Sequence, residues 1–304
     1  MVSIFLMRCN SFTVVLHFLM AMPSAAFRVV GYLPDYRVNS HPSYKGVTDL
    51  ILFSVEPDSA GNLQGLGRMP SATRLRELKG SAERVLLGLG GWGRCAGFEA
   101  MVRRPTAAPL KKLVGNIVWL VSSMNLQGVD FDVEVPGLNP WPFISKLVTL
   151  LRRALMKVGR SVVITAPFHP GEVASIAAEG QQLGVDLFHA MAYDNFGAVG
   201  GQHSTFELAE EVISAWERAG LELSRLTLGL PFYGRNVKNF HDAKAFYEAE
   251  GASNHFFNGP ALIKKKVRLA RNRGLAGVMI WELGQDDKDQ SLLRAVLGDN
   301  RDDL

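Results

Sequence analysis

Residues 128–136 read Gly-Val-Asp-Phe-Asp-Val-Glu-Val-Pro, a strict alternation that few folds accept. Successive side chains on a strand point to opposite faces. Val129, Phe131, Val133 and Val135 therefore share one face, and Asp130, Asp132 and Glu134 the other. Three carboxylates in one file repel, and each costs free energy to take out of water. Two settings tolerate such a file. One is an edge strand with a wet acidic face. The other is a strand whose acidic face points into a barrel, where the file serves chemistry.

The rest of the chain favours the barrel. Short apolar runs at 28–32, 49–55, 84–89, 128–134, 161–166, 185–193, 226–231 and 277–281 alternate with segments of helical periodicity. Most runs are rich in Val, Ile and Leu, as parallel strands covered on the outside should be. The clearer helical segments are 72–82, 109–124, 142–158, 171–183, 205–219, 260–273 and 290–297. Ser71 and Ser204 suit N-caps, Pro260 suits a first turn, and Gly159 and Gly220 suit helix ends. Eight strand–helix repeats in 304 residues predict an α/β fold, a single-domain (β/α)8 TIM barrel. A doubly wound open sheet is the alternative, but its first strand ends in a phosphate-binding glycine loop. Here that strand ends in Gly31-Tyr32-Leu33-Pro34, and Gly90-Gly91-Trp92-Gly93 follows the third strand without the Lys of a P-loop.

Residues 1–26 read as a secretory signal peptide, leaving 27–304 as the barrel. They carry one Arg (Arg8) and no acid, then an apolar run at 12–22, then Pro23-Ser24-Ala25-Ala26 before Phe27. The run is short for a membrane span, so stable membrane insertion is not expected, although an uncleaved anchor or an organelle presequence is the alternative. The expected location is outside the cell or in the lumen of the secretory pathway. Cys9 leaves with the leader, so Cys95 remains as a packing thiol with no disulfide partner. There is no Asn-x-Ser/Thr site. The net charge of +4 is modest. The basic run Lys264-Lys265-Lys266-Val267-Arg268 reads as a solvated helix face, without the interleaved aromatics of a nucleic-acid site. A monomer is expected.

A barrel places its site at the C-terminal ends of its strands. Those ends carry Tyr32, Glu56, Trp92, Glu134, Pro167-Phe168, Tyr193-Asp194, Phe232-Tyr233 and Trp281-Glu282. Flat apolar faces beside carboxylates suit a sugar ring, whose C–H faces stack and whose hydroxyls hydrogen-bond.

These residues resemble family 18 of the glycoside hydrolases, the chitinase family. Its fourth-strand signature Asp-Gly-x-Asp-x-Asp-x-Glu is matched by Gln127-Gly128-Val129-Asp130-Phe131-Asp132-Val133-Glu134. Gly88-Leu89-Gly90-Gly91-Trp92 is similar to the third-strand Ser-x-Gly-Gly, and Met191-Ala192-Tyr193-Asp194 to the sixth-strand Met-x-Tyr-Asp. Residues 228–235 and 277–282 are similar to the family's last two strand motifs, without a large insertion domain between them. Gln127 and Gly88 replace an Asp and a Ser that support the central acids, which puts proton sharing and rate in question. Val133 and Val135 replace aromatics.

The resemblance implies a retaining hydrolase of β-1,4-linked N-acetylglucosamine polymers or oligomers, chitin among them, without metal or cofactor. The substrate's own acetamido oxygen attacks the anomeric carbon and forms an oxazolinium ion. Glu134 acts as general acid and then base, Asp132 holds the acetamido N–H, Asp130 orients Asp132 through a shared proton, and Tyr193 donates to the acetamido oxygen. Asp194 contacts the sugar and Trp281 forms the floor. Tyr32, Trp92, Met191, Tyr233 and Arg235 complete the expected substrate-binding set. His189 is expected to face the interior, and His169, His203 and His241 to be structural or solvated. The short stretch 236–274 predicts a shallow, open groove suited to internal cleavage. Three alternatives stand beside this reading: an endo-β-N-acetylglucosaminidase acting on glycoprotein cores, a peptidoglycan hydrolase, and an inactive chitin-binding lectin.

Overall fold

A computed structural model describes residues 26–39 and 44–298. The expected leader lies almost wholly outside them. Eight parallel strands form one sheet: β1 (Arg28–Pro34), β2 (Asp49–Pro57), β3 (Arg84–Gly90), β4 (Gly128–Asp132), β5 (Val163–Phe168), β6 (Leu187–Ala190), β7 (Leu226–Pro231) and β8 (Gly277–Trp281). Each pairs with the next, and β8 pairs with β1, so the sheet closes into the (β/α)8 barrel. The strands are buried on both faces, which is why they read as continuous apolar runs. One apolar cluster packs the strands against the surrounding helices. A second fills the lumen with Tyr32, Phe53, Met191, Tyr193, Tyr233 and Met279 among its members.

Several elements depart from the sequence pattern. β4 ends at Asp132, so Glu134 stands two residues beyond the ladder. β6 is shorter than 185–193. The Asp186 carboxylate accepts the Ile164 N–H at 2.7 Å, taking a ladder position for itself. At the other end a tight bond from Ala192 N–H to the Ala190 carbonyl turns the chain away. The expected helix 171–183 is split into a 3-10 turn, the α-helix Val173–Glu179 and a second 3-10 turn, with Gly180 at φ 58° between the last two. The helix Ala96–Arg103 is additional.

Ser71 caps its helix as expected, accepting the Arg74 N–H. Ser204 does not cap the helix Phe206–Arg218. Thr205 does, accepting the Leu208 N–H, while buried Ser204 donates to the Ala192 carbonyl at 2.7 Å. Lys266 is not on a solvated face. It shares the inward side of the helix Pro260–Asn272 with Ile263, Val267 and Ala270, and its Nζ donates to the Ser204 carbonyl and hydroxyl. No large domain separates β7 from β8, but a three-stranded antiparallel sheet (Tyr233–Asn236, Asn239–Ala245, His255–Phe256) occupies that stretch.

Candidate active site

The register of β4 decides what surrounds the acids. Asp130 lies opposite Gly88 of β3 and Thr165 of β5, and Asp132 lies opposite Gly90. Gly88 offers no side chain, and the Thr165 hydroxyl donates to Asp130 Oδ1 at 2.5 Å. The Tyr32 hydroxyl donates to Oδ2 at 2.9 Å. Asp130 is fully buried, and burial pushes its carboxyl up to about 7 against the pull of those two bonds. Each of its oxygens thus accepts one hydrogen bond, from Tyr32 and from Thr165.

Asp132 is 4 % exposed, and its Oδ1 is buried without a hydrogen-bond partner. Burial raises its pKa well above the ordinary carboxylate range, and the charges of Glu134 and Asp130 add to this. An orphaned buried oxygen costs free energy unless something donates to it. A substrate N–H is a group of the right chemistry.

Glu134 is carried past the strand by a clasp of backbone and sulfur. Its N–H donates to Cys95 Sγ at 3.2 Å, and the same sulfur stands 3.3 Å from the Asp132 carbonyl. Gly91 N–H donates to that carbonyl at 2.8 Å. Gly90 and Gly91 have φ of 95° and 97°, and a Cβ on Gly90 would lie 2.2 Å from the Asp132 carbonyl oxygen. The Gly-Gly pair is thus what allows β3 to pass this close to the acid strand. Cys95 is buried, and burial pushes its thiol up to about 12, so it serves as a contact and not a nucleophile.

The Glu134 side chain is 13 % exposed, and its Oε2 lies 3.1 Å from His169 Nε2. His169 is the residue immediately after β5. Its side chain is half exposed, in keeping with the expected solvated role, but it also reaches Glu134, which the sequence did not suggest. A pocket of about 360 Å³ is lined by Trp92, Asp132, Glu134, Leu138, His169 and Met191 among others. Trp92 stands at its rim with 76 % exposure.

A second polar group sits past β6. Asp194, at φ 55°, accepts from the Tyr233 hydroxyl at 2.7 Å and from both Nε and Nη2 of Arg235 at 2.7 and 2.6 Å. Despite burial, bonds from His203, Arg235 and Tyr233 hold its pKa well below the usual carboxylate range. Tyr233 and Arg235 belong to the first strand of the small antiparallel sheet, so that sheet holds this cluster in place. Asp194 and Tyr193 line a second pocket of about 430 Å³, with His169 on its other wall.

The expected site residues are therefore brought together around the mouth, with two differences of place: buried Tyr233 spends its hydroxyl on Asp194, and Tyr32 lies deeper still. Tyr32 is 1 % exposed and spends its hydroxyl on Asp130, so it supports the acid from within the lumen and does not face a sugar. Its ring lies 5.3 Å from that of Trp281, which Phe53 also meets edge-on at 4.9 Å. Tyr193 is 8 % exposed, its hydroxyl 3.9 Å from the Met279 sulfur. His189 is buried as expected, its Nδ1 on the Thr227 hydroxyl at 2.7 Å. Gln127 does not face the acids. Its side chain pairs with the Val85 N–H and the Asn125 carbonyl at the start of the strand. Among the described residues, no three His, Cys, Asp or Glu side chains converge as a metal ion would require, and no helix is long and apolar enough to cross a membrane.

Sequence reasoning missed Thr165, Cys95 as a clasp, and His169. Thr165 was legible in principle as a polar residue on an apolar strand. His169 falls one position beyond the strand end that the apolar run marks.

The family model for glycosyl hydrolases family 18 matches residues 28–286. Among solved structures, a GH18 chitinase from the chitin utilization locus of Flavobacterium johnsoniae superposes with a TM-score of 0.73 at 27 % identity. It covers 91 % of this chain and 94 % of that one. A chitinase from Cycas revoluta superposes with a TM-score of 0.72 at 20 % identity, covering 89 % of this chain and 99 % of that one. Chitinase 1 of Aphanocladium album is 22 % identical over 69 % of this chain and 63 % of its own length. The endochitinase of Manduca sexta is 26 % identical over 50 % of this chain and 32 % of its own length. The human oviduct-specific glycoprotein is 25 % identical over 54 % of this chain and 27 % of its own length. The chain thus spans less than two thirds of each of these three curated relatives.

Proposed function

Since the chain belongs to family 18 of the glycosyl hydrolases, we propose that it hydrolyses β-1,4-linked N-acetylglucosamine polymers or oligomers with retention, by substrate-assisted catalysis. The observation that carries this reading is the unpartnered, buried Asp132 oxygen beside Glu134, in a pocket rimmed by Trp92.

The chemistry follows from those residues. Breaking the glycosidic bond needs a proton on the leaving oxygen and support for a positive anomeric carbon. Glu134, the acid nearest the open pocket, supplies the proton. Asp132 accepts the acetamido N–H, which turns the acetamido carbonyl oxygen toward the anomeric carbon. That oxygen forms the new C–O bond as the glycosidic electrons leave with the protonated aglycone. Tethering the nucleophile in this way can be worth roughly 7–11 kcal/mol. Water then attacks the oxazolinium ion, and Glu134, now a carboxylate, takes the proton. Tyr193 donates to the acetamido oxygen, Asp194 meets the sugar hydroxyls, and Trp281 and Trp92 offer flat faces to the rings. Asp130, itself fixed by Tyr32 and Thr165, favours the protonated form of Asp132 through its charge.

Purified protein incubated with chitin oligosaccharides and with a chitobiose-bearing glycoprotein tests the reading. Release of shorter N-acetylglucosamine oligomers is expected from the first. Glu134→Gln is expected to lower kcat by roughly 10²–10⁴-fold with KM little changed. Cleavage of the glycoprotein alone would make the chain an endo-β-N-acetylglucosaminidase. Saturable binding without hydrolysis of either would make it a lectin. Full activity in Glu134→Gln would remove the acid assignment.

A further inference from the structure

The contact between Glu134 and His169 has no counterpart in the chemistry just derived, which runs on Glu134 alone. His169 is held in place for it. The turn after β5 directs the His169 N–H to the Glu172 carboxylate at 2.8 Å, fixing the backbone from which the imidazole reaches Glu134. The ring also forms a wall between the two pockets of the mouth, lining both.

We propose that His169 is a positioning residue for Glu134, its imidazole N–H donating to the Glu134 carboxylate so that the pair titrates together and hydrolysis is confined to the acid side. This rests on the reading of Glu134 as acid and base. The groups facing His169 are acidic on every side. Glu134 comes from the extension of β4, Glu172 from its own turn, and Asp194 from the loop after β6. Asp132 lines the pocket on one side of the ring and Glu211 the pocket on the other. The bond to Glu134 raises the imidazole pKa, outweighing burial, and the charges of Glu134, Glu172 and Asp194 act the same way.

The consequence has a definite sign. A protonated imidazole beside Glu134 favours the carboxylate. In its protonated form His169 therefore works against the first step, which requires Glu134 to hold its proton. In the first step the Glu134 O–H bond breaks and the proton passes to the leaving oxygen. The carboxylate so formed then accepts from His169, which keeps it aimed at the site while water arrives. In the second step Glu134 takes a proton from that water, and His169 ends as it began.

The test is the pH dependence of kcat/KM on a chitin tetrasaccharide for the wild-type protein, His169→Asn and His169→Gln. Both variants are expected to move the basic limb upward by about half a pH unit or more. A measurement independent of activity accompanies it. The His169 ring resonance, assigned by its loss in His169→Asn, is titrated by NMR in the wild type and in Glu134→Gln. Its midpoint is expected to fall in Glu134→Gln. Superposable pH profiles, or a His169 midpoint unmoved by Glu134→Gln, overturns the proposal. A wild-type protein that cleaves neither chitin nor glycoprotein fails the glycosidase reading instead, and the titration still decides whether the pair exists.

Discussion

Asp130 shows how a single position in the file is stabilised when a neighbour is lost. The sequence raised a question at Gly88, where the family carries Ser. A Cβ at Gly88 would lie 2.9 Å from the Leu52 carbonyl oxygen and 3.1 Å from an Ile51 methyl carbon, so this barrel has closed up on that side. The hydroxyl comes from the other neighbouring strand, as Thr165. Removing it leaves one oxygen of a fully buried carboxyl without a donor, which costs about 1–3 kcal/mol. Thr165→Val is therefore expected to lower kcat by roughly tenfold with KM little changed, and Thr165→Ser to restore most of it. Steady-state rates on a chitin oligosaccharide decide this. An unchanged kcat in Thr165→Val would mean that Tyr32 alone holds Asp130. The acids themselves were legible in the sequence, because period-two alternation is a backbone property. The partners of Thr165, Cys95 and His169 were not, because they lie far away in sequence and meet these residues only through strand register and a turn.

At the scale of elements, the junction between β3 and β4 governs where Glu134 ends up. Gly90 and Gly91 both hold φ near 95°, and the chain there packs against the Asp132 carbonyl and the Phe53 ring. A Cβ on Gly91 would come within 2.1 Å of that ring. Phe53 in turn packs edge-on against Trp281, so it has little room to yield. Gly91→Ala combines an unfavourable φ with a clash, each a recognised source of large destabilisation. It is expected to cost about 2 kcal/mol or more in a denaturant midpoint and to lower kcat beyond the loss of folded protein. A variant as stable and active as the wild type would show that β3 can shift without moving β4. Elements with a strong period were readable from the residues: seven of the strands and most helices lie within a few positions of the pattern. β6 and the segment after β5 were not, because Asp186 and Gly180 end regular structure through a side-chain bond and a left-handed turn that hydrophobicity does not record. Lys266 was misread for a related reason. A lysine on the inward side of a helix looks like part of a basic run until Ser204 is seen opposite its Nζ.

Across the whole molecule, the barrel gathers carboxyls at one end and buries them, and this fixes how stability must vary with pH. Burial pushes Asp130 and Glu282 up to about 7 and Asp286 up to about 6, and raises Asp132 further than a surface acid. Their unfolded values are near 4. Between about pH 4 and 7 the folded chain therefore holds more protons than the unfolded chain, so these groups make stability fall as pH rises. Buried His189, lowered to about 3, and His203, also lowered, act in the opposite direction below about pH 6.5, where the unfolded chain binds protons that they do not. Asp49 and Asp194, lowered by their arginines, act only at more acid pH. The buried acids outnumber the buried imidazoles, so between about pH 4 and 7 the net slope is downward. Above that, Lys266, lowered by burial to about 7, acts the other way, because the unfolded chain keeps a proton that the folded chain gives up. Glu282 isolates one contribution. Its Oε2 accepts the Gly284 N–H at 2.7 Å, a bond that a glutamine carbonyl can keep, while Oε1 has no hydrogen bond and lies 3.5 Å from Arg37 Nε. Glu282→Gln removes the ionisation without removing the acceptor. Its advantage over the wild type is expected to grow by up to about 3 kcal/mol between roughly pH 4 and pH 8. Urea unfolding of both proteins across that range measures it. Parallel curves would mean that Glu282 ionises in the folded barrel as readily as in water, with Arg37 compensating its burial in full.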